Sequence, residues 1–138
     1  MVILAVDYGD VRTGIAVCDK NQILASPVGT ITEPDPDRLM EKIEAIAKER
    51  KAQFLVVGEP VNMDGSRGER AQKCAEFAKE LSEKCGLDYA MWDERCTTVM
   101  AHQALNVTNT RGKKRKAVVD SLSAVMILEG YMTRHPNL

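Results

Sequence analysis

Five apolar residues run without a break from Val2 to Val6, β-branched at Val2, Ile3 and Val6, and the next residue is a carboxylate, Asp7. An apolar run of this kind, without polar alternation, reads as a strand buried on both faces of its sheet. The chain must therefore set a charged group where its core opens. Tyr8-Gly9 follow at once, and then Arg12-Thr13-Gly14-Ile15-Ala16-Val17, with Gly9 and Gly14 allowing a sharp turn and a close approach of the backbone. A carboxylate at the end of a central strand suits a metal ion or phosphate chemistry. The plainer alternative is a hairpin whose Asp only opens a turn.

The pattern predicts strands over 2–7, 13–19 and 22–31, with turns at Gly9-Asp10 and Lys20-Asn21 making an antiparallel meander. Pro34-Asp35-Pro36 stops the sheet and starts a helix running to about Arg50, with Asp35 as N-cap, Pro36 in the first helical position, and Leu39, Ile43 and Ile46 on one face. A fourth strand spans 53–58. The polar loop Glu59 to Ser66 leads to a helix over 68–85 closed by Gly86, and a fifth strand spans 88–92. Two helices follow, over 97–105 and 117–134. This order predicts an α/β fold, a mixed five-stranded sheet with helices on both faces. Ligands gather at the carboxyl ends of parallel strands in such sheets, which is where Asp7, Glu59 and Asp93-Glu94 fall. Asp120 interrupts the apolar row Ala124, Ile127, Tyr131 of the last helix; it can bind a metal there or cap the helix.

Length suits a single domain over residues 1–138, large enough to need neither disulfides nor a structural metal. Cys18, Cys74, Cys85 and Cys96 form no C-x-x-C pair and His102 and His135 lie far apart, so no zinc set is visible and free thiols in a reducing, cytoplasmic compartment are expected. No stretch has the roughly eighteen apolar residues of a membrane span, and no membrane partner is expected. A net charge of -1 conceals Arg111, Lys113, Lys114, Arg115 and Lys116, set beside Asn106, Thr108, Asn109 and Gly112. That composition predicts a mobile basic loop, either merely solvated or meeting nucleic acid.

Several acids converging on one sheet edge repel unless a cation lies between them, and hard oxygen ligands select Mg²⁺ or Mn²⁺ over zinc. Two such ions can activate a water and stabilise the leaving oxygen of a phosphodiester. The residues point to a metal-dependent nuclease.

Four segments, in order across the chain, resemble the YqgF family, also called RuvX: Asp7-Tyr8-Gly9-Asp10-Val11-Arg12-Thr13-Gly14-Ile15-Ala16-Val17, Val57-Gly58 through Asn62-Met63-Asp64-Gly65-Ser66, Asp93-Glu94-Arg95 with Thr97-Thr98, and Asp120 through Leu128. The resemblance implies the RNase H-like fold of the resolvase RuvC and an acidic site of Asp7, Glu94 and Asp120 holding Mg²⁺ or Mn²⁺. It implies an endonuclease that matures the 5′ end of pre-16S ribosomal RNA, or a resolvase of branched DNA, acting as monomer or homodimer. Two positions depart from the family pattern: Glu59 stands where the loop usually reads Gly-Leu-Pro, and Cys96 where Leu usually follows Asp-Glu-Arg.

Arg12 and Arg95 can hold phosphates or only neutralise the acids. Asn62, in a loop where Asp64 accepts local backbone hydrogen bonds, is a candidate substrate contact, as are Lys113 to Lys116. Arg67 and Arg70 are expected on a solvated helix face. Glu59 or Asp93 can join the metal site, although for Glu59 the favoured reading is a solvent-pointing side chain paired with Arg67 or Arg12. A sugar-kinase or actin-type ATPase also uses an Asp-x-Gly strand turn, but needs a second such domain. A noncatalytic RNA-binding assembly factor is the remaining class.

Overall fold

The computed structural model describes residues 1–21, 24–61, 64–93 and 112–134, and of residues 112–121 only the helix backbone. Among the described residues five strands, β1 (Ile3–Asp7), β2 (Arg12–Cys18), β3 (Ala25–Thr32), β4 (Phe54–Glu59) and β5 (Asp88–Asp93), form one sheet in the order β3-β2-β1-β4-β5. β1, the apolar run, is the central strand, antiparallel to β2 and parallel to β4. β5 continues the parallel half beside β4. On the outer strand β3, Ile15 pairs with Gly29 and Ala16 with Pro27, so Val28 is an extra residue that bends the edge. Pro27 is tolerated because an edge strand need not donate to a neighbour on its free side.

Among the described residues three helices cover the sheet: α1 (Pro36–Glu49), α2 (Glu69–Cys85) and α3 (Gly112–Arg134). Asp35 caps α1 by accepting from the Asp37 amide at 3.0 Å, with Pro36 opening the helix. Gly86 ends α2 in the left-handed conformation, at φ 68°, where a side chain would be strained. One face of the sheet packs Leu4, Val6, Tyr8, Ile15, Leu55 and Val57 against Leu39, Ile43, Phe77 and Leu81 of α1 and α2. The other packs Ile3, Ala5, Ala16 and Val56 against Ala124, Ile127 and Leu128 of α3. Each fully buried Leu or Ile contributes about 1.5–3 kcal/mol, and β1 feeds both layers.

Two expectations need correction. The third strand begins at Ala25, and of its expected start Gln22 and Ile23 lie outside the described residues. The last helix begins at Gly112 rather than 117, so Lys113, Lys114, Arg115 and Lys116 belong to α3 and not to a mobile loop. Lys and Arg are among the better helix formers, and mutual repulsion along an exposed helix amounts to only a few tenths of a kcal/mol per pair. The glycine and asparagines before the run favour a loop, which puts the expected start about five residues past the observed one. The helix expected over 97–105 lies outside the described residues.

Candidate active site at the carboxyl edge of the sheet

β1, β4 and β5 run parallel, so their last residues share one edge: Asp7, Glu59 and Asp93. Register confirms it, with Val6 opposite Val57 and Glu59 opposite Asp93. Sharing an edge is not sharing a site, because successive strand residues point to opposite faces. Ile3 and Ala5 pack with the α3 layer, which gives Asp7 that same side. Leu55 and Val57 pack with the α1 and α2 layer, which puts Glu59 there; Met91 packs with the same layer, and Asp93, two residues on, has its parity. Asp7 is thus separated by the sheet from both other acids.

The turn after Asp7 is built tightly. A Cβ on Gly9 would lie 1.9 Å from the Arg12 carbonyl oxygen, so no larger residue fits without moving the backbone. The Gly9 amide donates to Oγ1 of Thr13 at 3.3 Å, and Thr13 is fully buried. Tyr8 swings to the α2 side, where its ring stacks on Phe77 with centroids 4.0 Å apart and planes 4° from parallel. Arg70 then clasps the turn: Nη2 donates to the Tyr8 carbonyl at 2.5 Å, Nη1 to Oδ1 of Asp10 at 2.5 Å, and the guanidinium carbon stands 5.2 Å above the Tyr8 ring. The Arg70 charge, with a smaller contribution from Lys73, holds the Asp10 carboxyl below its usual pKa.

Glu59 is held by Arg67, whose Nε donates to Oε1 at 2.8 Å. The expected Arg67 partner is therefore present, but the side chain is only 13% exposed rather than turned to solvent. Neither Arg67 nor Arg70 lies on an idle solvated face: both have carboxylate partners at this edge. The signal for Arg70 was available in α2, because Cys74 and Phe77, four and seven residues later, are buried and extend their stripe back to it. Asp64 accepts from the Ser66 amide at 2.9 Å, the expected local turn.

Arg12 opens β2, half-buried, at the same edge. Asn62, Glu94 and Arg95 lie outside the described residues, and Lys113 to Lys116 and Asp120 lie on the part of α3 described by backbone alone. Asp120 stands one helical turn before the buried Ala124 and two before Ile127 and Leu128. Among the described residues no three His, Cys, Asp or Glu side chains form a metal-binding group, and none of the described helices is long and apolar enough to cross a membrane.

Comparison with known proteins adds the family. The model of the family described as "RuvX: Holliday junction resolvase" matches residues 1–134. A protein of Lachnospira eligens named "Putative pre-16S rRNA nuclease" is 43% identical over 135 residues, covering 96% of each chain. One of the same name from Ruminiclostridium cellulolyticum is 37% identical, covering 97% of this chain and 95% of its own. Among solved structures, RuvC of T. thermophilus in complex with a Holliday junction substrate superposes with a TM-score of 0.60 at 11% identity, covering 99% of this chain and 96% of that one. The fowlpox virus resolvase bound to Holliday junction DNA gives 0.59 at 11% identity over 99% of this chain and all of the other. These two establish the RNase H-like fold of the sheet and its helices. With that fold, and with the family's model running from the first strand to the last helix, the chain belongs to the RuvX family of nucleases.

Proposed function

We propose that this protein is a cytoplasmic, metal-dependent endonuclease of one domain, cutting phosphodiester bonds of structured RNA to mature the 5′ end of pre-16S ribosomal RNA. The observation that carries the site assignment is the parity of the acids. Asp7 occupies the α3 side of the sheet, Asp93 and Glu59 the other, so of the Asp93-Glu94 pair Asp93 is set apart from Asp7 and Glu94 is taken as the ligand. Asp120, one turn ahead of residues seated on that same side, is the third. Oxygen donors of this type fit Mg²⁺ or Mn²⁺, and Asp7, Glu94 and Asp120 would hold it. When bound, a pair of such ions lowers the pKa of water and stabilises the charge on the leaving oxygen.

The chain's own residues supply the rest. Gly9 and Thr13 fix the turn that presents Asp7, so the carboxylate is held rather than found by search. Arg12, Asn62, Arg95 and the Lys113 to Lys116 run are assigned to the phosphate backbone, with the guanidinium groups suited to paired contacts on non-bridging oxygens. The names of the relatives favour RNA. The family description favours a second reading, resolution of branched DNA, which requires two active sites related by a dimer axis. Purified protein incubated with Mg²⁺ or Mn²⁺ and either a pre-16S 5′ leader or a four-way DNA junction separates them. Mapped cleavage of the leader, abolished by EDTA, is expected; symmetric cuts in the junction by a dimer, with the leader intact, would replace the RNA reading.

A further inference from the structure

Asp10 is an exposed carboxylate that engages two cations with a single oxygen. Its Oδ1 receives Nη1 of Arg70 at 2.5 Å and Nζ of Lys73 at 3.5 Å, while its side chain remains 70% exposed. The two cations are not equally dependent on it. Arg70 is also anchored by the Tyr8 carbonyl and by the face of the Tyr8 ring, which is itself stacked on Phe77. Its guanidinium therefore stays in place if Asp10 swings away, and its bond to Asp10 is of the exposed kind that is easily exchanged. Lys73, 59% exposed, lies one turn further along α2 and reaches the same point.

We propose that Arg70 and Lys73 form a phosphate subsite for the nucleic-acid substrate, and that Asp10 fills it in the free protein as a removable stand-in. A non-bridging phosphate oxygen matches the Asp10 oxygen in charge and acceptor character, and a phosphodiester offers a second oxygen that an exposed carboxylate on a short side chain does not aim at these donors. The location fits the reading of the chain as a nuclease, on which the proposal rests. Asp10 is three residues beyond Asp7, and the subsite lies on the α2 side of the edge while Asp7 lies on the α3 side. A strand crossing the edge meets both, one phosphate gripped and a neighbouring one presented for cutting. No bond is made or broken at the subsite; the carboxylate and the phosphate exchange places.

The test is binding without cleavage. Fluorescence anisotropy with EDTA present measures affinity for a labelled RNA bearing a single-stranded 5′ leader, and in parallel for a four-way DNA junction, across a salt series. Removing the competing anion by Asp10→Asn should tighten binding at least threefold and steepen the slope of log K against log salt by about one. Arg70→Met should weaken binding about tenfold and flatten the slope by about one, and Lys73→Met, at an exposed position where folding is not in question, should act in the same direction. Asp10→Asn binding no more tightly than wild type, or an unchanged slope in Lys73→Met, overturns the subsite. If the wild type binds neither probe, the nuclease reading itself falls. If the wild type binds while the variants behave as wild type, only the subsite falls.

Discussion

Asp7 and Glu59 end neighbouring parallel strands, yet a layer of backbone lies between their side chains. Glu59 is held by Arg67 on the far side, which sets it apart from the metal site proposed around Asp7. On the proposed mechanism Asp7→Asn is expected to lower the cleavage rate at least a hundredfold, since it would remove a metal ligand beside the reacting phosphate. Glu59→Leu should leave the rate and the Mn²⁺ requirement within about threefold, under 1 kcal/mol. Kinetics of the two variants against a Mn²⁺ series settle it, and a hundredfold loss in Glu59→Leu that Mn²⁺ partly restores would bring Glu59 into the site. What the sequence disclosed at this scale followed from local rules. The Asp7 strand end and the Asp64 turn depend on residues within a few positions. The buried stripe of α2 reaches Arg70, but its partners, Tyr8 and Asp10, stand 62 and 60 residues away, and the pattern of α2 does not name them.

Among the elements, α3 is the hardest to delimit from sequence and packs tightly near its carboxyl end. A Cβ on Gly130 would lie 2.7 Å from Cζ2 and 2.9 Å from Cε2 of Trp92, so the helix rests on the indole with no room for a methyl group. Trp92 is in turn edge-on to Tyr131, with centroids 6.4 Å apart, and Tyr131 stacks on Phe54 at 5.6 Å. Burial raises the pKa of the Tyr131 hydroxyl, as expected for a phenol drawn into this cluster. Gly130→Ala gains about 1 kcal/mol of helix propensity but incurs overpacking of about 1–3 kcal/mol. A net loss near 1 kcal/mol is expected in urea unfolding, and Trp92→Phe in the same chain should return part of it. A Gly130→Ala protein more stable than wild type would show that the indole moves aside freely. The strands and the first two helices were readable because their signals are redundant: apolar runs, Pro36 after Asp35, and Gly86 after Cys85. At the start of α3 glycine and asparagine argued for loop while lysine and arginine argued for helix, and composition alone could not place the boundary.

For the molecule as a whole, the proposed site would couple metal binding to folding. Asp7, Glu94 and Asp120 are far apart along the unfolded chain, so a divalent cation held by all three would bind the folded state selectively and stabilise it, by about 2.7 kcal/mol at a hundredfold excess over Kd. Thermal unfolding should therefore shift upward by several degrees in Mn²⁺ and return with EDTA, and the shift should vanish in Asp7→Asn. A metal-independent midpoint in the wild type would argue that the edge holds no cation. The sheet order has a different consequence for the chain while it is being made. β1 finds β2 within its own hairpin, but its other edge waits for β4, which lies 51 residues on, as the pairing of Val2 with Gln53 measures. At roughly 5–20 residues per second of synthesis, that edge stays open for about 3–10 s, an apolar strand with unpaired amides available to any other nascent chain. The strand that carries the carboxylate is thus the one most exposed to misassociation during translation, and slowing the ribosome between residues 33 and 53 should reduce the yield of folded protein more than slowing it after residue 59.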